Sequence, residues 1–289
     1  MSGWHIGVVG GSGLYDVAGV EDGRWVEVAS PWGTPSDAIF TGRVGAARVS
    51  FLPRHGRGHR ISPEAIPARA NIDALKRLGV TDVLAISSVG SLAEDRPPGS
   101  FTIVDQFVDR TRGRPSSFFG TGLVAHVAMA DPVCPRLSAL AADAAEAAGA
   151  AVTRGGTYLA MEGPQFSTRA ESRLYRQWGC AVIGMTAMPE AKLAREAELP
   201  YALVGMVTDY DSWREGEAGV DVAAVLAQVA ANAAKARALV LGLLRALPPE
   251  RPASPIDTVL DSAIITAKGA WDPALAAKLD AVAGRMLRR

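Results

Sequence analysis

The chain has 289 residues, 48% hydrophobic and 21% charged, which suits a globular protein with a large buried core and suggests neither disorder nor a membrane protein. Its 30 Lys and Arg balance its 30 Asp and Glu, so there is no basic footprint for nucleic acid or an anionic membrane, and a small-molecule partner is expected. Apolar runs are broken by charge or glycine before about 18 residues, which excludes a spanning helix; Cys134 and Cys180 lack CxxC spacing and histidines number four, which argues against a disulfide framework or a metal site.

In chain order, the N-terminus lacks a basic segment and a small-residue cleavage site, so the expected address is the cytoplasm. Ile6-Gly7-Val8-Val9 reads as a buried strand feeding the turn Gly10-Gly11-Ser12-Gly13-Leu14-Tyr15. A dinucleotide fingerprint starting at Gly11 fails because Asp16 holds the third glycine position and no helical pattern follows. Two readings of the turn stay open: a plain tight turn, or an anion cradle with Ser12 donating its hydroxyl.

Alternation and turn signals between Arg24 and Leu52 predict antiparallel strands. They end at Pro53-Arg54-His55-Gly56-Arg57-Gly58-His59-Arg60, either a solvated basic loop or a phosphate-binding one whose arginine fork grips oxygens bidentately. Pro67, Ile72, Leu75, Leu78 and Gly79 mark a helix. Val83–Ile86 is a strand running into Ser87-Ser88-Val89-Gly90-Ser91, a further polar strand end. Residues 101–108 and 153–160 are expected strands, 109–126 a long loop of the kind that carries function or an interface, and 135–148 and 168–178 helices.

The strand 181–184 leads to Met185-Thr186, a helix seeded by Pro189-Glu190 follows, and the strand 201–208 runs into Asp209 and Asp211. In a parallel sheet such strand ends face one crevice. A long amphipathic helix spans about 220–247. The prolines at 248, 249 and 252 mark a linker to two expected helices, 258–268 and 273–287. The expected organisation is α/β: a single domain (1–249) with a central mixed, largely parallel twisted sheet flanked by helices, plus a C-terminal helical extension (250–289).

The ordered set GGSGLY at 10–15, RHGRGH at 54–59, SSVGSL at 87–92, DQFVDRT at 105–111, EGPQFSTRAES at 162–172, MTAMPE at 185–190 and TDYDSW at 208–213 resembles the trimeric purine nucleoside phosphorylase family, nearest to its methylthioadenosine-cleaving members. The resemblance runs from residue 6 to about 245. It implies attack of phosphate on C1′ of a purine nucleoside, with the base leaving and a ribose 1-phosphate forming. Inorganic phosphate is then a co-substrate, with no metal or organic cofactor, and the assembly a homotrimer or a dimer of trimers.

By the same resemblance Ser12, Arg54, His55, Ser87, Ser88 and Thr186 are phosphate positions; relatives often carry Thr and Ala where Ser87 and Ser88 stand. Phe166 and Met185 lie against base and ribose. Asp209, supported by Asp211, is the catalytic carboxyl: protonated through burial, it donates to purine N7 and accepts from a 6-amino group. Val222, Val225 and Leu226 form an apolar 5′ pocket completed by His126 of a neighbouring subunit. Met161 and Met206 are read as core, and His5 and His59 as structural. The tail beyond about 250 exceeds what the family core needs. The implied activity is phosphorolysis of 5′-methylthioadenosine; the alternatives are a 6-oxopurine nucleoside or methylthioinosine phosphorylase, a water-using nucleosidase, or a non-catalytic nucleoside-binding protein.

Overall fold

The computed structural model describes residues 3–11, 19–216 and 219–288. In chain order the regular elements are β1 (His5–Gly10), β2 (Glu21–Val26), β3 (Ile39–Val44), β4 (Ala47–Pro53), α1 (Ala68–Arg77), β5 (Asp82–Ser91), β6 (Phe101–Val104), β7 (Gln106–Asp109), α2 (Pro135–Ala147), β8 (Val152–Arg154), β9 (Thr157–Ala160), α3 (Arg169–Gln177), β10 (Val182–Gly184), α4 (Ala187–Glu196), β11 (Tyr201–Asp209), α5 (Val222–Ala246), α6 (Pro273–Lys278) and α7 (Gly284–Leu287).

β1, β4, β5 and β11 are apolar along most of their length and almost wholly buried, because strands covered on both faces have no solvent side to present. They lie side by side in the order β4-β1-β5-β11, all parallel. Six of the ten strand pairings among the described residues are parallel and four antiparallel. The architecture is therefore α/β with a mixed, largely parallel sheet between helices, as expected.

β5 is the branch point, pairing with β1, β11 and β10. Two large apolar clusters cover the sheet. One includes Ile72 and Leu75 of α1, Ala191 and Leu193 of α4 and residues of the tail; the other includes Leu137 of α2 and Leu239, Val240 and Leu243 of α5. The helices begin where local chemistry allows. Thr168 and Glu171 form a reciprocal capping box ahead of α3, and Asp221 accepts from Ala224 N ahead of α5.

The structure departs from sequence expectation in four places. β5 does not stop at Ile86 but continues through Ser91, since Ser87 to Ser91 still pair with β11 and β10. The strands expected at 101–108 and 153–160 are each divided, at Asp105 and at Gly155-Gly156, where Asp105 Oδ1 accepts from Gly156 N at 3.0 Å. The tail forms only a 3-10 segment, Pro255–Asp261, a second short one, and the small helices α6 and α7. It packs into the main core through Leu260, Ala263, Leu279, Val282 and Ala283, and Arg285 pairs bidentately with Glu198.

α5 is the fourth case: its 25 residues, with a window of mean hydropathy 1.3, are long and apolar enough to cross a membrane, so length and composition alone do not exclude it. One face of its C-terminal half is instead buried in the core, through Ala236, Leu239, Val240, Leu243 and Leu244.

Candidate functional site

A cavity of about 320 Å³ opens where β4, β5, β10 and β11 end and α5 begins. One end is built on a buried arginine. Arg54 directly follows β4 and is 2% exposed. Its Nε donates to Glu190 Oε2 at 2.8 Å and its Nη2 to Glu190 Oε1 at 2.9 Å and Val9 O at 3.3 Å. Its Nη1 donates to Ile86 O and to Ser87 Oγ, each at 3.2 Å. Burial opposes the guanidinium charge, but the adjacent Glu190 carboxylate outweighs it and holds Arg54 firmly protonated. The expected bidentate grip on phosphate is thus corrected, because the two-pronged edge of the fork is turned toward Glu190 in the first turn of α4. Tyr201 Oη donates to Glu190 Oε1 at 2.9 Å; burial, then the Glu190 charge, pushes this phenol well above its ordinary range and keeps it a donor.

Around the arginine stand hydroxyls. Ser87 Oγ lies 3.0 Å from Thr186 Oγ1, and Ser88 lines the cavity from the exposed side of β5. Met185 and Thr186 arrive at the cavity from β10, which runs antiparallel to β5 and not with it, so their convergence comes from a strand entering from the opposite direction. A Cβ at Gly184 would stand 2.1 Å from Tyr158 Oη, so only glycine lets β10 end against that tyrosine, to which Thr186 N donates at 3.4 Å. Ser12 lies outside the described residues.

His55 Nδ1 is 2.8 Å from Ile61 O. A carbonyl only accepts, so Nδ1 carries the hydrogen and Nε2 of the neutral ring is an acceptor. Burial lowers the His55 pKa from 6.5 to about 4, against the pull of the Ile61 carbonyl and with help from the Arg54 and His59 charges. His59, expected to be structural, stacks on His55 at 4.1 Å between ring centroids and lines the cavity. His5 is structural as expected, buried with Nε2 2.8 Å from Ser50 Oγ.

The other end carries the carboxylates. The β11–β5 register shifts between Val207 and Asp209, so Thr208 is the extra residue of a bulge that re-aims Asp209. Asp209 Oδ2 is 2.7 Å from Thr208 Oγ1, and Oδ1 accepts from Asp211 N at 2.8 Å. A Cβ at Gly90 would come within 2.9 Å of Asp209 Oδ1 and 3.3 Å of Asp211 Cβ, so the glycine of the SSVGS run makes room for both acids. Burial, aided by the Asp209 charge, pushes the Asp211 carboxyl up despite the Ser172 and Ser167 hydroxyls and the Ser212 backbone. Burial of this kind acts on Asp211; Asp209, the acid expected to be protonated, is only half-buried.

Phe166, 41% exposed, and the half-buried Met161 flank this end, and Val222, Val225 and Leu226 continue the wall along the first turns of α5. Met206, expected as core, belongs to an apolar cluster and lines the cavity as well. The lining is deepened by Val229, Ala233 and Ala236 further down α5. His126 is exposed and does not line this cavity in its own chain.

Residues 5–245 match the model of the phosphorylase superfamily. The chain belongs to that superfamily. It is 60% identical to the S-methyl-5′-thioadenosine phosphorylase of Cereibacter sphaeroides, across 98% of each chain, and 55% identical to that of Rhodospirillum rubrum, across 98% of this chain and 97% of the relative. In structure it is similar to a methylthioadenosine phosphorylase from an Antarctic soil metagenomic library, with TM-score 0.92, 42% identity, and 98% of this chain and 99% of that one covered. It is also similar to the Schistosoma mansoni methylthioadenosine phosphorylase in complex with adenine, with TM-score 0.80, 33% identity and coverages of 97% and 98%.

Within this superfamily member, Arg54, His55, Ser87, Ser88, Phe166, Met185, Thr186, Asp209, Asp211, Val222, Val225 and Leu226 all meet at one cavity. The tail that exceeds the superfamily match is no peculiarity of this chain, since the relatives align over nearly their whole length. Sequence reasoning missed Glu190, Tyr201 and Arg114. Arg114, nearly buried, ties the junctions together: its Nη1 donates to Met185 O at 2.7 Å and Met188 O at 3.0 Å, and its Nη2 to Glu162 O at 2.6 Å. Its place in the long loop after β7 was the only signal available.

Proposed function

We propose that the chain is an enzyme that cleaves 5′-methylthioadenosine with phosphate, giving adenine and 5-methylthioribose 1-phosphate, a pentosyl transfer serving purine and methionine salvage in the cytoplasm. The observation that carries this reading is the polarity of one cavity: an arginine, a neutral histidine and serine and threonine hydroxyls at one end, two acids at the other, and an apolar helix face beside them. The names borne by the relatives, and the adenine complex of one structural neighbour, support the same assignment.

The residues suit the chemistry step by step. As the C1′–N9 bond breaks, the ribose gains oxocarbenium character. A phosphate dianion held by Ser87, Ser88, Thr186, Arg54 and, by sequence, Ser12 stabilises that charge and supplies the oxygen that bonds C1′. The acceptor Nε2 of His55 suits the one remaining O–H of hydrogen phosphate. The bonding pair leaves with the purine, so N7 needs a proton or a hydrogen bond. Asp209 faces N7 and the 6-amino group, and Asp211, whose backbone N–H donates to Asp209 Oδ1, supports it.

Met185 and Phe166 flank ribose and base, and Val222, Val225 and Leu226 receive the methylthio group. The assembly in this reading is a homotrimer or a dimer of trimers, in which His126 of one protomer closes the 5′ end of the next; the exposure of His126, and of Val222 and Leu226, supports it. Phosphate serves as co-substrate, and the reaction as written uses neither metal nor organic cofactor.

The test is a panel of methylthioadenosine, adenosine, methylthioinosine, inosine and guanosine, each with and without inorganic phosphate. Methylthioadenosine cleaved only with phosphate, and faster than the 6-oxopurines, is expected. Full-rate base release without phosphate would sink the phosphorylase reading.

A further inference from the structure

A guanidinium has five N–H bonds in a fixed planar fork, and in Arg54 every one is committed. Nε–H goes to Glu190 Oε2, the two Nη2 hydrogens to Glu190 Oε1 and Val9 O, and the two Nη1 hydrogens to Ile86 O and Ser87 Oγ. The partners differ in how readily they let go. Val9 O and Ile86 O are carbonyls of buried strands, paired in the sheet, and cannot turn away. Glu190, 3% exposed, holds two prongs at once and is itself anchored by the Tyr201 hydroxyl. Releasing it would leave an uncompensated charge in the core, a severe penalty. Ser87 Oγ alone is a rotor with a second partner, Thr186 Oγ1, 3.0 Å away.

We propose that Glu190 and Tyr201 are positioning residues for phosphate: they lock Arg54 so that it offers an incoming phosphate a single N–H, the Nη1 hydrogen now donated to Ser87 Oγ. Phosphate oxygen replaces Ser87 as acceptor, and the released serine hydroxyl turns to donate to the same anion. The inference rests on the phosphate reading given above and adds the residues that fix its geometry.

Charge and geometry make opposite predictions, which separates this role from a merely structural one. Glu190 is a carboxylate beside the place where an anion binds, so removing its charge alone strengthens phosphate binding. If it acts by holding Arg54, Glu190→Gln weakens binding, because an amide cannot accept from both Nε and Nη2. Calorimetric titration of inorganic phosphate into the wild type, Glu190→Gln and Tyr201→Phe reads this without any nucleoside. Phosphate Kd is expected to rise about tenfold or more in Glu190→Gln and about threefold in Tyr201→Phe, the loss of a charge-assisted and of a single hydrogen bond respectively.

A wild type that binds no phosphate would overturn the functional reading itself. A wild type that binds, with Glu190→Gln binding equally or more tightly, would overturn the positioning role alone. Where Glu190→Gln does not fold, Tyr201→Phe decides: an unchanged Kd counts against the proposal. A crystal structure with phosphate gives the direct view, with Nη1 alone within hydrogen-bond distance of the anion expected, and two contacts through Nε and Nη2 contrary to it.

Discussion

The two ends of the cavity are built by different means. At the arginine end the buried side chains are paired within the chain: Arg54 with Glu190, Glu190 with Tyr201, Ser87 with Thr186, and His55 through Nδ1 with Ile61 O. At the α5 end the walls are apolar side chains facing outward, with Val222 57% and Leu226 62% exposed. The first end is set by folding itself; the second is left open to solvent. Preorganised groups are where transition-state charge is best stabilised, whereas an adaptable apolar wall only sorts substrates by size and polarity.

The sharpest way to break this contrast is to remove the arginine. Arg54→Ala strands the Glu190 carboxylate in the core, and unfolding in denaturant is expected to show a loss of about 3–5 kcal/mol, because a buried ion is left unpaired. A loss below 1 kcal/mol would mean that the arginine end is not part of the folded core. Next in size, Asp209→Asn is expected to lower kcat/KM on methylthioadenosine by about 10²- to 10⁴-fold, the usual range for a lost general acid or base, and to shift preference toward 6-oxopurines. Equal effects on both purine classes would remove Asp209 from base recognition.

The contrast also explains what the sequence disclosed. Arg54, Ser87, Thr186 and Asp209 were legible because each stands where an apolar run gives way to polar residues, and the resemblance supplied their order. The continuation of β5 through Ser91 was hidden by the same cue, since serine and glycine read as a strand end while the backbone pairing carries on. Glu190 was overlooked because an acid in the first turn of a helix has a sufficient local explanation in the helix dipole; its pairing with a residue 136 positions away has no local signature. The bulge at Thr208 sits within an unbroken apolar strand pattern and shows only in the register. The tail resisted reading for a plainer reason: helices of six and four residues hold too few turns to display periodicity.

A smaller effect probes the neutrality of the arginine end. His5 and His55 both fall from 6.5 to about 4 in the fold, chiefly through burial, so the unfolded chain binds protons that the native one does not. Stability from these rings is therefore complete above pH 6.5 and is lost as pH falls from 6.5 toward 4, by up to about 1.4 kcal/mol per pH unit for each ring. In denaturant titrations across that window, His55→Gln is expected to lose stability less steeply than wild type by about one proton's slope. A parallel pair of curves would show that His55 is charged in the native protein.

The smallest expected change in stability belongs to the opposite end. Leu226 is so exposed that Leu226→Ser removes little from the folded core, and the shift in stability is expected to stay within about 0.5 kcal/mol, as for other surface positions. Its effect falls on selection: the preference for methylthioadenosine over adenosine is expected to drop about tenfold, since a 5′ methylthio group distinguished by one apolar contact is worth roughly 1–3 kcal/mol. The pairing of an unchanged melting temperature with a changed substrate ratio is the signature of a wall that is finished by its ligand. A large loss of stability with an unchanged ratio would show the reverse, that Leu226 supports the fold and that the α5 end is no less preorganised than the arginine end.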